Sequence, residues 1–427
     1  MKPPVQVALV GVGGFGIHHL GVLRSLASQG EAALAAVVVR DPATLRDQIA
    51  TFEQEGVSVF TDYTEMLQQM RGKVTLVSVV TGLGSHAALG IAALRSGYNV
   101  LLDKPPAATL RDFDGLVEAA RASERQCAVL FQWLSFGPYK ELKDLIVSGA
   151  LGQVRNARCM IGSPRAAEYY TRNDWAGRWR NGGEWILDGP MHNALSHELF
   201  QLLYLSSTAP RTAAKPIEAT CEMYRAHHIE SEDTSCLRLV CDNGATVHFY
   251  CTHSCLKIWQ AIEIECDNAV ITEHRPDRWD VRLSIRYRDG RVQELRGTTG
   301  REPLIQAAYE NVVGVLTGSA RYFDCPLDLT RALMLATNGA HLSARRPVQI
   351  PEAMIERKRY PIADRAGSGR IDENWVGIRG VEDVIQRAFQ TNALFSELDV
   401  PWARRSTCVA LPDRFELESL SPLESHV

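Results

Sequence analysis

Val5-Gln6-Val7-Ala8-Leu9-Val10-Gly11-Val12-Gly13-Gly14-Phe15-Gly16 is the stretch on which the rest of the chain turns. Val5 to Val10 is a short apolar run of strand type, and a helical pattern follows from about Phe15 to Ser28. The turn between them has the spacing G-x-G-x-x-G. In such a unit Gly11 permits the tight turn, Gly13 lets backbone approach a pyrophosphate, and Gly16 lets helix and strand pack closely. The helix N-terminus then offers N–H groups and the positive end of its dipole to phosphate. The glycines alone are a weak signal. After a strand and opening a helix they make Gly11, Gly13, Gly14, Phe15 and Gly16 candidates for holding a dinucleotide.

The same rhythm continues outward. Apolar runs at Leu34–Val39, Val57–Phe60, Val74–Val80, Val100–Leu102 and Cys127–Phe131 read as strands. Helical patterns lie between them at Thr44–Glu53, after Asp62, at His86–Ser96 before Gly97, and at Leu110–Ser123. Strands alternating with helices predict an α/β, doubly wound parallel sheet of Rossmann type over residues 1–131. The pattern then changes. A helix over Pro138–Ser148 and a strand over Val154–Ile161 lead into an aromatic, Arg-rich and Gly-rich stretch, Ser163–Gly183. A helix is expected over Pro190–Leu205, and mostly antiparallel strands over Ile217–Arg296. Helices at Pro303–Leu316 and Leu327–Ser343 are expected to close this second α/β domain, residues 132–350. Residues 351–427 form an extension. Its Asn374-Trp375-Val376 and helix-like Val381–Leu398 carry enough apolar surface to pack on the body or on a neighbouring subunit.

Composition narrows the function classes. Lys plus Arg number 46 against 50 Asp plus Glu, a net charge of −4, so no global field favours nucleic acid or an anionic membrane. The longest apolar runs, such as Ala32–Val39, fall well short of the ~20 residues of a spanning helix. The N-terminus lacks the pattern of a secretory signal. Ten cysteines without a C-x-x-C pair fit free thiols in the cytoplasm.

Three further segments carry chemistry. At the end of the second strand, Val39 stands where an acid would bind a ribose 2′-hydroxyl, and Arg40 follows. A guanidinium suits a 2′-phosphate, which favours NADP over NAD, while Asp41 offers an acceptor for NAD. Asp103-Lys104-Pro105-Pro106 lies just past the fifth strand, at the carboxyl edge where ligands of such sheets sit. Asp188-Gly189-Pro190-Met191-His192 suits a helix start, with Asp188 or Gly189 as N-cap and Pro190 in the first turn. His192 would then be held neutral by the helix end, as a general base requires. Cys251, His253 and Cys255 alternate along a strand, but Val247 and Phe249 share that face, so a buried apolar stripe is expected rather than a metal site. His227-His228 reads as a strand-edge pair.

Together these motifs resemble the glucose–fructose oxidoreductase / inositol dehydrogenase / MocA family (Gfo/Idh/MocA), from about Val5 to Ile350. The family's Glu-Lys-Pro appears as Asp103-Lys104-Pro105, and its Asp and His as Asp188 and His192. Thr81 to His86 is also family-like. Thr81-Gly82 replaces a Thr-Pro turn, Ser135 an Arg and Leu195 an acid. The resemblance implies a Rossmann domain followed by an α/β domain with a large open sheet, and assembly as a homodimer or homotetramer. It implies hydride transfer between NADP or NAD and a sugar, polyol or related hydroxy compound. His192 would take the hydroxyl proton, Lys104 would stabilise the alkoxide, and Asp188 would orient one of them. Thr81, His86, Asp103 and Lys104 would border the cofactor. Tyr169, Trp175, Arg178 and Trp179 offer aromatic faces and Arg forks to a polyhydroxylated substrate. The alternatives are an NAD-dependent glycosidase that works by transient oxidation and elimination, and a non-catalytic nucleotide-binding sensor.

Overall fold

A computed structural model of the chain describes residues 3–277, 279–363 and 370–417. The chain divides into two units, Met1–Lys140 with Gly297–Arg331, and Glu141–Arg296 with Ala332–Val427. Parts of the expected extension 351–427, namely residues 364–369 and 418–427, lie outside the described residues.

The first unit holds strands β1 (Val5–Val10), β2 (Ala32–Val38), β3 (Ser58–Phe60), β4 (Leu76–Val79), β5 (Asn99–Leu102) and β6 (Cys127–Val129). Helices α1 (Gly16–Ser28), α2 (Arg46–Gln54), α3 (Tyr63–Gln69), α4 (His86–Arg95) and α5 (Leu110–Ser123) connect them. All pairings are parallel and the strand order is β3-β2-β1-β4-β5-β6. This is the doubly wound order, with its reversal between β1 and β4. The strands are apolar on both faces because helices cover both. Local signals fix the helix starts: Asp62 accepts from the Glu65 N–H at 2.7 Å, and Thr109 from the Asp112 N–H at 3.1 Å.

One expectation is corrected here. The helix Arg301–Thr317 does not close the second domain; its Ile305, Tyr309, Val312 and Val313 join Leu9, Leu20 and Leu23 in the core of the first unit. Helical periodicity shows which face is apolar but not which core will take it.

The second unit is built on a ten-stranded, mostly antiparallel sheet. Its main path runs Val292–Thr298, Asp280–Tyr287, Ala269–His274, Trp259–Cys266, Val154–Gly162, Thr246–Thr252, Thr234–Cys241, Pro216–Arg225 and Val348–Gln349. Val154–Gly162 pairs with Thr246–Thr252 in parallel. Register places Ala157, Val247, Ile264 and Ile271 on one face, all buried. On the other face Tyr250, Tyr224 and Cys236 are buried by residues of the chain end, Ile385, Phe395 and Trp402. These come from the helix Val381–Thr391 and the segment after it. A hairpin the sequence did not reveal, Ile355–Ala363 with Arg370–Ile378, contributes Ile355, Val376 and Ile378 to the same cluster.

Phe395 is fully buried between Tyr224, Tyr250 and Trp402. Phe395→Ala should therefore cost about 3–5 kcal/mol, measured as a shift in the denaturant midpoint of the second unit. A loss below ~1 kcal/mol would mean that the chain end is not part of this core.

Candidate functional site

The glycine turn is shaped by two close approaches within the first unit. Gly11 has φ +92°, and a β-carbon there would strike the Val80 carbonyl beyond β4. A β-carbon on Gly16 would strike the Gly11 carbonyl. Gly13 differs: nothing lies within 4 Å of where its β-carbon would stand. The turn thus closes tightly on itself and on β4 while leaving open space over Gly13. That is the cradle a dinucleotide pyrophosphate needs, so the residues fit the cofactor. Gly14 and Phe15 lie exposed on the same turn.

Beneath the turn lies a buried polar chain missed in the sequence. Tyr309 meets Ser78 at 2.6 Å and Nδ1 of His19 at 2.9 Å. Burial pulls the His19 imidazole down to about 4, so it stays neutral. This chain ties β4, α1 and the helix Arg301–Thr317 below the phosphate turn.

Arg40 and Asp41 stand exposed just beyond β2, and Asp41 accepts from the Ala43 N–H at 3.1 Å. Thr81 lies beyond β4, with its hydroxyl on Ser85 at 2.7 Å. His86 is buried; one ring nitrogen meets the Pro105 carbonyl at 2.8 Å and the other the Thr81 carbonyl at 3.1 Å. It braces the loops after β4 and β5 against each other. Asp103 accepts from the Lys104 N–H at 2.8 Å, and the Lys104–Pro105 peptide is cis. Gly11, Thr81 and Lys104 therefore follow three adjacent strand ends.

In the second unit the turn around His192 differs from the expectation. The helix starts at Ser196, not Pro190, and Asp188 does not cap it. Gly189 accepts from the Asn193 N–H and Pro190 from the Leu195 N–H, which forms one wide turn ahead of the helix. Asp188 is drawn elsewhere: its carboxylate accepts from the Gly177 N–H at 2.8 Å and the Asn193 amide at 2.6 Å. Arg172 stands 3.7 Å from Asp188 and covers the Tyr169 ring at 3.6 Å and Trp175 at 5.0 Å. The structure thus brings Asp188, Tyr169 and Trp175 together through Arg172, which sequence reading had not singled out. His192 is fully buried. Arg178 is exposed, whereas Trp179 is buried with its ring edge-on to His341 at 5.3 Å.

Elsewhere in this unit, buried His253 sets Nδ1 on the Ser163 carbonyl at 2.7 Å, and buried His227 pairs with Asp233 at 2.9 Å. All ten cysteines are free thiols. Among the described residues no helix is long and apolar enough to cross a membrane.

Comparison with known proteins agrees with this architecture. Residues 5–131 match the model of the GFO/IDH/MocA oxidoreductase family, NAD-binding Rossmann fold, and residues 139–272 match that of the GFO/IDH/MocA C-terminal domain. A dTDP-3,4-didehydro-2,6-dideoxy-alpha-D-glucose 3-reductase of Saccharopolyspora spinosa is 28% identical over 202 residues, 47% of this chain and 58% of that protein. Inositol 2-dehydrogenase 4 of Saccharopolyspora erythraea is 30% identical over 168 residues, 39% of this chain and 48% of that one. The chain thus spans about half the length of these curated relatives. The WlbA dehydrogenase from Bordetella pertussis, solved with NADH and UDP-GlcNAcA, superposes with a TM-score of 0.65 at 21% identity, covering 80% of this chain and 97% of that one.

The glycine geometry separates binding from folding. Gly13→Val should leave the thermal midpoint of the protein unchanged and abolish dinucleotide binding by calorimetry. Gly16→Val should lower the midpoint, because its side chain meets backbone. Unchanged affinity in Gly13→Val would remove the pyrophosphate from this turn.

Proposed function

The chain belongs to the GFO/IDH/MocA oxidoreductase family, and on that premise we propose that it is a dehydrogenase or reductase acting on CH–OH groups. Its substrate is a sugar, polyol or related hydroxy compound. The observation that carries this reading is the carboxyl edge of the parallel sheet, where the open turn at Gly13 and Lys104 follow strands of one sheet. A bound nicotinamide supplies the hydride acceptor or donor.

The protein's own residues do the rest. His192 takes the proton from the substrate hydroxyl as hydride leaves the carbon. Lys104 donates a hydrogen bond to the same oxygen, stabilising the developing alkoxide. Asp188 is held in place by the Gly177 N–H and the Asn193 amide. Its charge favours the cationic form of a base that has just accepted a proton. Tyr169, Trp175 and Arg178 supply substrate contacts, and the buried Trp179 supports them from behind. Thr81, His86 and Asp103 shape the nicotinamide end of the cofactor site. Arg40, exposed beyond β2, selects NADP over NAD. The protein works in the cytoplasm as a homodimer or homotetramer.

With a panel of sugars and polyols followed by the absorbance of reduced nicotinamide, Lys104→Met and His192→Ala should each lower turnover by roughly 10²–10⁴, with cofactor affinity nearly unchanged. The double variant should lose far less than the product of the two, since the residues serve one step. Near-normal turnover in His192→Ala would make that histidine structural.

Arg40→Ala should weaken NADP binding about tenfold or more and NAD binding little. Equal loss of both, or of neither, would make Arg40 a bystander.

A further inference from the structure

Glu232 is fully buried in the second unit, at the start of the strand pair that carries Thr234–Cys241. Its Oε2 accepts from the Ser231 hydroxyl at 2.9 Å. Its Oε1 makes no close hydrogen bond among the described residues, although the Trp179 indole N–H faces the carboxyl, and it lies so close to the Gly189 α-carbon that a β-carbon there would strike it. Gly189 is the residue between Asp188 and the wide turn that carries His192. A buried, half-satisfied carboxyl is therefore pressed against the backbone of the turn to which the catalytic role is assigned.

The groups around it decide its charge. His341 directs Nε2 toward Oε2 of Glu232 at 3.9 Å. Its Nδ1 contacts the Thr337 carbonyl at 2.8 Å, and a carbonyl only accepts, so Nδ1 carries the proton and Nε2 the lone pair. Burial holds the His341 imidazole down at about 4, in keeping with that neutral tautomer. Asp188 faces Glu232 from the loop before Gly189, and the Cys221 and Cys251 thiols face it from two strands. Burial pushes both thiols well above their usual range, so they stay neutral. The surroundings of Glu232 thus set two neutral donors, the Ser231 hydroxyl and the Trp179 indole, against full burial, a lone pair and a second carboxylate, and no cation stands at contact distance among the described ion pairs. This setting accepts a neutral acid and penalises an anion. Burial accordingly pushes the Glu232 carboxyl up to about 7, with the Asp188 charge adding to the rise.

We propose that Glu232 is a positioning residue whose neutral acid form holds the Asp188–His192 turn in its working shape, and that its ionisation releases that turn. The inference rests on the assignment of catalysis to His192. The sign follows from the charges. Below neutrality the acid packs against Gly189 without charge. Above it, an unpaired anion stands beside Asp188 and against backbone, and the turn must move or the carboxylate must find water. The oxidation profile then carries a falling limb that belongs to Glu232. Stability follows the same sign. The folded state holds this proton to higher pH than the unfolded state, so stability is lost as pH rises through the interval from about 4.5 to about 7.

Infrared difference spectroscopy on the full chain tests the titration without any substrate. A carboxylic-acid carbonyl band present at about pH 6 should vanish by about pH 8 in the wild type and in His192→Ala, and should be absent in Glu232→Gln. In turnover, Glu232→Gln should match the wild type within about threefold at low pH and exceed it about 10- to 100-fold at about pH 9, having lost the falling limb only. Should Glu232→Gln not fold, Glu232→Met supplies the uncharged side chain. An acid band that persists unchanged in the Glu232 variant, or a falling limb that survives in it, overturns the proposal. If no sugar is turned over but the band behaves as described, the buried acid stands and the assignment of the reaction fails instead.

Discussion

The contact between the Gly11 α-carbon and the Val80 carbonyl is the constraint on which the first unit depends. It exists because β1 and β4 are neighbours at the point where strand order reverses, and their following loops must part there. Any side chain at Gly11 would force them apart and open the pairing in which the Val80 N–H donates to Val10. The second contact, Gly16 on the Gly11 carbonyl, draws the first turn of α1 over the end of β1. Together they aim the helix N-terminus at the open space over Gly13. The buried chain Ser78–Tyr309–His19 supports this arrangement from below with groups that remain neutral. The phosphate end is thus set by backbone geometry rather than by any charged side chain.

The second unit is organised differently, around buried acids. Asp233 is fully buried and accepts from the backbone N–H groups of Ala226 and His227 at 2.8 Å each, and from the His227 ring. Those bonds outweigh burial and hold its carboxyl below the usual range. His227 in turn meets the Arg165 carbonyl at 3.2 Å, which fixes the start of the aromatic, Arg-rich stretch. Asp188 pins the far end of that stretch through Gly177. Neighbouring acids Glu232 and Asp233 therefore have opposite fates: Asp233 gains two backbone N–H donors and the His227 ring and is held below the usual range, whereas at Glu232 burial and the nearby Asp188 outweigh the Ser231 and Trp179 donors. The difference lies in the loop just ahead of the strand Thr234–Cys241, where Asp233 turns to the Ala226 and His227 N–H groups and Glu232 to the Gly189 backbone.

The legibility of the sequence follows the same division. The doubly wound half could be read because each strand is apolar along its length and ends at a turn or cap supplied by its own neighbours, such as Asp62 and Thr109. The start of the helix after Pro190 was misread because Asp188 and Pro190 have the local look of a cap and first turn. The carboxylate is instead claimed by Gly177, eleven positions earlier, a tertiary contact that no local pattern records. Glu232 was missed because Glu230-Ser231-Glu232-Asp233 reads as a solvated charged turn. The hairpin Ile355–Ala363 with Arg370–Ile378 was missed for a related reason: its alternation is weak, and its apolar residues acquire a face only by packing on the cluster around Tyr224.

The chain end changes what the large sheet can present. Over the strands Val154–Gly162, Thr246–Thr252 and Thr234–Cys241, the face carrying Met160, Tyr250 and Cys236 is already covered within one chain, by Ile385, Phe395 and Trp402. Polar residues at the margin are engaged as well: Arg158 pairs with Glu263 and lies over the Phe389 ring at 5.0 Å, and Arg238 pairs with Glu397 at 2.6 Å. Exposed positions of that sheet lie further along, on the strands from Trp259 to Thr298. There Glu265, Arg282 and Arg286 alternate with few apolar groups, of which Val270 is exposed. Such a surface is stable in water as it stands, and its charges would need partners before it could be buried. A contact between copies of this chain made through Glu265, Arg282 and Arg286 would pair charges, and its strength would fall as salt rises.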